Sequence, residues 1–532
     1  MSGVIAAGSP ETAGAGAAML QKGGNAVDAV VAAAFASFIA EIGVVHLGGS
    51  GVAHLYNPQT GNSLVYDFFS NMPGLGGTPP TALDFSEVMI DFDATTQSFY
   101  LGRASVAVPG NIAGLCQMSA DYGRLPLTDL LEPAIQLARN GLTLGTFQAE
   151  TCKLLENLYS HTDGMRDIFL KNGRMISPGQ QLYIPHLADT LTQLAQEGPD
   201  IARNGRLAQA IIADQQANGG LLTAADLETY QVRRVQSIRL SYHDYEILLP
   251  PPSSIGGVLT ALTLKLLDRF DVGQYRHGSA PHLSLLYEAM AATTRARRHW
   301  DQWSEEMPPD EAVARILSDT FVETYYHEVK DSLASRQPSQ AIPEMPSHNS
   351  TSHISVVDSD GLAVSLTNTA GESAGYVVPG TGYIPNNMLG EIDLHPQGFH
   401  SRPAGKRIPT IMTPTIVLHN GQTRLVVGSG GSIRIRSAIF QVLSNLLDFG
   451  MSLKEAVNTA RVHVEDGVLQ CEAGYDAQAV DELEGKGYPV NRWTKRSIYF
   501  GGAHSVSRTD NGRLVAAGDN RRGGSVATAV TP

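Results

Sequence analysis

The sequence predicts an α+β fold in which two β-sheets lie face to face between helical layers, a four-layer αββα sandwich. Three observations carry this expectation. Ala-rich stretches with helical spacing open the chain, at 13–21 and 26–39. Paired runs of strand character recur, at 52–56 and 63–68 across Gly61-Asn62, and at 415–419 and 423–427 across Asn420-Gly421. The middle third, 127–333, reads as largely helical, with apolar residues at helical spacing over 127–139 and 258–267. No internal repeat is visible. A length of 532 residues is large for one small domain, but both halves read as parts of the same layers, so one composite body is expected.

The chain is most informative at Thr351. Residues 334–350 read ASRQPSQAIPEMPSHNS, a Pro- and Ser-rich stretch with no periodicity. A clean alternation follows at once: Thr351-Ser352-His353-Ile354-Ser355-Val356-Val357-Asp358. Asp358-Ser359-Asp360-Gly361 is turn chemistry, and 362–369 is a second strand, so the two should form an antiparallel hairpin. If Asp358 pairs with Gly361 or Leu362, Thr351 lies opposite Asn368 or Thr369. A threonine at a loop-to-strand junction can become a new N-terminus if the chain cuts itself there. Its freed α-amine titrates near neutrality and can act as base for its own hydroxyl. From this stretch alone, an ordinary hairpin with a Thr-rich edge fits equally. His353 and Ser355 share the face of Thr351 by period two, and His353 reads as a structural strand residue because the amine already supplies a base.

A second cluster is Gly428-Ser429-Gly430-Gly431-Ser432, between a strand ending near Val427 and a helix over 437–449. Glycines at a strand-to-helix turn free backbone N–H groups for a developing negative charge, as an oxyanion hole requires. A plain tight turn is the alternative; a dinucleotide loop is disfavoured because the spacing is not GxGxxG.

The block from Thr351 to Asp358 resembles the start of the small subunit in the γ-glutamyltranspeptidase family of N-terminal nucleophile hydrolases. Gly23-Gly24-Asn25-Ala26-Val27-Asp28-Ala29, Leu47-Gly48-Gly49-Ser50-Gly51, Val108-Pro109-Gly110 with Ala113-Gly114-Leu115, residues 220–230, and Pro250-Pro251-Pro252-Ser253-Ser254-Ile255-Gly256-Gly257 follow in the family's order. The resemblance implies the αββα fold of N-terminal nucleophile hydrolases and autocleavage between Ser350 and Thr351. That would leave a large chain, 1–350, and a small catalytic chain, 351–532, in one composite domain. It implies Thr351 as nucleophile, Thr369 as the hydroxyl that orients it, and Gly430 and Gly431 as oxyanion donors, although the Pro that usually precedes the pair is absent. No cofactor or metal is expected.

Recognition of the donor departs from the family pattern. Asp67-Phe68-Phe69-Ser70 stands where an Arg would clamp a substrate carboxylate, and Phe69 cannot imitate a guanidinium. Thr410-Ile411 replaces a Ser-Ser pair, leaving only Thr410 able to hydrogen-bond. Asn386-Asn387-Met388-Leu389-Gly390-Glu391 resembles the family's amine-binding stretch, with Asn387 and Glu391 as substrate contacts. Lys406, Arg407, Arg434 and Arg436 are candidate replacement cations, Arg407 first among them.

A net charge of −14 without any Lys/Arg-rich run argues against nucleic-acid binding. Cys116, Cys152 and Cys471 are widely spaced, without CxxC, and read as core residues. The opening MSGVIAAG has no basic n-region, so a cytoplasmic location is expected unless a presequence is missing. The apolar run 27–40 is too short to span a bilayer and reads as a buried helix, so no membrane partner is expected. The resemblance implies a self-processing hydrolase of γ-glutamyl amides, glutathione among them, that passes the acyl group to water or an amine. An acylase of the same fold acting on a glutaryl-type or polyglutamate donor, and a non-catalytic binding protein, are the alternatives.

Overall fold

A computed structural model describes residues 3–91, 96–339 and 351–530. Two antiparallel sheets stack at its centre. The first runs in the order Arg233–Gln236, Asn62–Phe68, Ser50–Asn57, Ala363–Thr369, Ser352–Asp358, Gly3–Ala7, Ser525–Ala529. The second runs Ile238–Tyr242, Tyr245–Leu249, Thr415–His419, Gln422–Val427, Ser505–Arg508, Leu514–Ala517. Val4, Tyr56, Val357, Leu248, Ile416 and Val426 form an apolar layer between the sheets. Larger cores lie on the outer faces: one under Ala26–Ala40 and the neighbouring helices, the other under Ile255–Leu267, Ala280–Glu306 and Ile435–Leu447. This is the predicted αββα order, and the strand Ser352–Asp358, which follows Thr351, lies in the interior of the first sheet.

The helix Ala26–Ala40 is buried along its whole length, as its Ala/Val composition requires. Asn25 caps it, accepting from the N–H groups of Val27 and Asp28, while Asp28 accepts from Asn25 N–H. Its length, about 22 Å at 1.5 Å per residue, matches the strand Ser352–Asp358 beside it. Asp358 Oδ2 accepts from Ala26 N–H at 3.0 Å, and Ser352 Oγ donates to Glu41 Oε2 at 2.5 Å. Helix and strand are therefore tied together at both ends.

The register settles the hairpin. Ser352 pairs with Asn368 and Val357 with Ala363, and Asp358 N–H bonds the Leu362 carbonyl at 3.1 Å. Thr351 thus faces Thr369, the second of the two predicted alternatives. The Asn420-Gly421 connection carries positive φ at both residues, 51° and 73°, as a tight hairpin turn demands.

The middle third contains strands that periodicity did not reveal. Arg233–Gln236 closes one edge of the first sheet, and Ile238–Tyr242, after Ser237 alone, opens the second. Their outward residues are charged, which hides the strand pattern in RRVQSIRLSYHDYEILL. No helix among the described residues is long and apolar enough to cross a membrane.

Candidate active site

Because directly paired residues of adjacent strands share a face, the register places Thr351, Thr369 and Ser50 in one row on the inner face of the first sheet. Thr351 is 3% exposed and Thr369 6%. The next rows inward are His353, Thr367 and Val52, then Ser355, Ser365 and His54. The nucleophile candidate therefore stands at the end of a polar stripe that sinks between the sheets.

That stripe is pinned by hydrogen bonds. Ser355 Oγ lies 3.2 Å from the Val426 carbonyl and 3.0 Å from that of His504, so its single proton goes to a carbonyl. His353 Nε2, 2.9 Å from Ser355 Oγ, must then donate, leaving Nδ1 to accept from the Thr367 hydroxyl at 2.9 Å. Burial holds the pKa of this imidazole well below its usual range, so it stays neutral. His353 fastens the strand, as its structural reading requires.

The glycine turn reaches the same point from the second sheet. A Cβ at Gly430 would sit 2.2 Å from the Thr351 carbonyl oxygen, so only glycine lets the two segments approach. Gly431 adopts φ of 117°, and the turn enters Ile435–Leu447 through the short helical segment Ser432–Arg434. Ser429 Oγ accepts from Gly502 N–H at 3.0 Å and donates to the Gly430 carbonyl at 2.7 Å, fixing the turn's orientation.

The Asn387 and Glu391 segment joins from the Thr369 side. Thr369 Oγ1 accepts from Gly371 N–H at 3.1 Å, and Asn387 Oδ1 accepts from Glu372 N–H at 2.7 Å and Ser373 N–H at 3.2 Å. A Cβ at Gly371 would meet Asn387 Oδ1 at 2.2 Å and Glu391 Oε1 at 2.7 Å, so both side chains crowd the loop that leaves Thr369. Asn387 acts there as a loop brace. Glu391 is buried beside it.

Other predicted recognition residues have different surroundings. Arg407 donates to the Phe69 carbonyl, to Tyr230 Oη at 2.7 Å and to the Gln231 carbonyl at 2.8 Å, with Nε 3.7 Å from Asp67. Its guanidinium, the first of the candidate replacement cations, is held by the Asp67–Phe69 loop and by Tyr230 and Gln231. Thr410 Oγ1 accepts from Met412 N–H at 3.2 Å while its backbone pairs with the 253–256 segment. Arg434 stacks over Tyr499, 4.4 Å from the ring centroid. Lys406 is exposed and Arg436 buried. Ser350, the other half of the expected cleavage site, lies outside the described residues.

Sequence reasoning missed two groups at this centre. Arg522 is buried, and its Nη1 donates to the Thr351 carbonyl at 3.3 Å. Glu41 holds Ser352 from behind. Arg522 lies 171 residues from its partner and Glu41 311. No local pattern marks either one.

Residues 12–529 match the family model described as gamma-glutamyltranspeptidase. The chain belongs to the γ-glutamyltranspeptidase family. Within that family it is 33% identical, over 97% of its length and 91% of the relative's, to the Acylase ACY 1 proenzyme of Pseudomonas sp. strain SE83. It is 30% identical, over 98% of its length and 90% of the relative's, to the glutathione hydrolase proenzyme of Escherichia coli K12. Its fold matches cephalosporin acylase from Bacillus halodurans with a TM-score of 0.83 at 24% identity, covering 99% of this chain and 95% of that one. Helicobacter pylori γ-glutamyltranspeptidase matches with a TM-score of 0.52 at 26% identity, over 63% of this chain and 91% of that one. The protein is accordingly an N-terminal nucleophile hydrolase of the γ-glutamyltranspeptidase family.

Proposed function

We propose that this protein is a self-processing threonine amidohydrolase that cleaves an acyl amide and passes the acyl group to water or an amine. One observation carries the reading: Thr351, opposite Thr369, meets Gly430 backbone to backbone at the mouth of the sheets. In self-processing, Thr351 Oγ attacks the Ser350 carbonyl, the peptide nitrogen leaves as the new α-amine, and water hydrolyses the resulting ester. The mature α-amine then accepts the hydroxyl proton as Oγ attacks the donor carbonyl. The N–H groups of Gly430 and Gly431 hold the oxyanion. The C–N bond breaks, the leaving amine takes the proton from the α-ammonium, and an ester to Thr351 remains. Water or an acceptor amine repeats the sequence in reverse and restores Thr351 Oγ–H.

Two donor classes are compatible with this machinery. The γ-glutamyl class, glutathione included, rests on Glu391, whose carboxylate suits a donor ammonium. The acylase class, glutaryl-type amides, is favoured by Phe69 at the clamp position, by the commitment of Arg407 to the Phe69 loop, and by the 33% identity to an acylase proenzyme. We take the acylase class as the better reading. The test is a denaturing gel with N-terminal sequencing, followed by assays with γ-glutamyl and glutaryl anilides. Two fragments, the smaller beginning Thr-Ser-His-Ile-Ser, and faster release from the glutaryl anilide are expected. A stable single chain after long incubation would refute the nucleophile, and a strong γ-glutamyl preference would reverse the choice of donor.

A further inference from the structure

Three basic side chains follow one another in space behind the glycine turn, and two of them are neutralised. Arg461 pairs with Asp519 at 2.7 Å, and Arg521 pairs with Glu472 at 2.5 Å and Asp519 at 3.1 Å. Arg522 differs. Its Nη1 donates to the Thr351 carbonyl and its Nη2 to the Ile498 carbonyl at 3.2 Å, and its Nε, like that of Arg461, is buried with no hydrogen-bond partner among the described residues; what sets it apart is its lack of an ion pair there. Among the described residues it forms no ion pair; Glu372 and Asp519 favour its charge, and Arg434 and Arg461 oppose it. A buried cation without an adjacent anion is costly, and an incoming anion is the natural compensation.

The position is specific. A Cβ at Gly430 would lie 3.0 Å from Arg522 Nη1, and one at Gly431 3.6 Å from Nη2. The fork thus flanks the two residues that would hold the oxyanion and touches the backbone of the residue that would attack. Nη1 lies 3.3 Å from the Thr351 carbonyl oxygen, so an anion held by Arg522 would stand beside the residue that would carry the acyl group. Phe69 and Arg407 leave the usual clamp position without a guanidinium directed at a donor.

We propose that Arg522 is the receptor for a carboxylate carried by the acyl donor, so that the site takes ω-carboxyacyl amides. The inference rests on the Thr351 reading and narrows it: glutaryl and γ-glutamyl donors both carry such a group, and a planar fork binds it in a bidentate manner. Glu391 then concerns only donors that add an amine.

The test compares glutaryl p-nitroanilide with glutaramoyl p-nitroanilide, in which a neutral primary amide replaces the carboxylate. Self-cleaved wild type should favour the glutaryl donor by about 10²-fold in kcat/KM, the scale of truncating a buried charged hydrogen bond. Arg522→Met should erase that preference, chiefly through KM, lowering kcat/KM for the glutaryl donor at least tenfold more than for the neutral donor. Equal loss for both donors would assign Arg522 to the oxyanion or to the fold and overturn the proposal, as would a preference that survives in the variant. If Arg522→Met does not fold, Arg522→Lys, which keeps the charge but not the fork, should lose about tenfold on the glutaryl donor alone. Calorimetric titration with glutarate needs no turnover, so it separates failure of the receptor from failure of the nucleophile. Wild type should bind glutarate and the variants should bind it at least tenfold more weakly; equal binding overturns the proposal.

Discussion

Glu41 accepts the hydroxyl proton of Ser352 at 2.5 Å, directly behind the candidate nucleophile, and takes a second hydrogen bond from Thr12 Oγ1 at 2.6 Å. Burial raises its pKa above the usual carboxyl range, and the two hydroxyls offset this only in part. A carboxyl with a raised folded-state pKa stabilises the fold fully below its unfolded value, about 4.5, and loses that contribution as pH rises through the folded value. Replacing Glu41 by Gln removes the ionisation while keeping polar contacts. The melting temperature of Glu41→Gln relative to wild type should therefore climb between pH 4.5 and 8. A constant difference across that range would show that Glu41 is not held protonated.

Acid should destabilise the protein through its buried histidines. Burial holds His46, His54, His395 and His504 each down to about 4, and lowers His353 as well. Between those values and 6.5 the unfolded chain binds more protons, so stability is complete above 6.5 and falls as pH drops, by up to about 1.4 kcal/mol per pH unit for each group. Raised carboxyls such as Glu41 pull the other way, but they are fewer among the described residues. Denaturant midpoints at pH 7.5, 6 and 5 should fall in that order. An unchanged midpoint at pH 5 contradicts the neutral buried histidines.

Gly430→Ala brings a methyl group to 2.2 Å from the Thr351 carbonyl oxygen, closer than any tolerated contact. Self-cleavage should slow by roughly 10²-fold or more, matching the loss of one oxyanion donor, while circular dichroism stays unchanged. Gly431→Val should act similarly, since its φ of 117° disfavours a β-branched side chain. Normal self-cleavage and turnover in both variants would reduce the turn to a structural feature.

Phe69→Arg should not create a carboxylate clamp. Phe69 is 1% exposed, packed in the core that contains Met72, Ile408 and Ile411, and its carbonyl already holds Arg407. A second guanidinium there is buried beside the first, so the variant should lose a few kcal/mol of stability and gain nothing in KM for γ-glutamyl anilide. An improved KM with unchanged stability would show that the Phe69 loop opens onto the donor.

The sequence by itself determined the layer order, the loop-to-strand junction at Thr351, the hairpin that brings up Thr369, and the glycine turn at Gly430-Gly431. These are legible because alternation, turn dipeptides and glycine spacing are local signals that the backbone must obey wherever the chain goes. It also identified the site where recognition departs from the family pattern, because Phe69 cannot carry a charge. Only the tertiary structure decided which cation stands beside Thr351. Arg407 and Arg522 look alike in sequence, each beside a second basic residue. Packing ties Arg407 to Phe69, Tyr230 and Gln231, and sets Arg522 against Thr351 and the glycine turn. The same holds for Glu41, whose partner lies on a strand 311 residues away. Burial, charge neutralisation and approach across two sheets depend on distances between segments remote in sequence, and no periodicity along the chain encodes them.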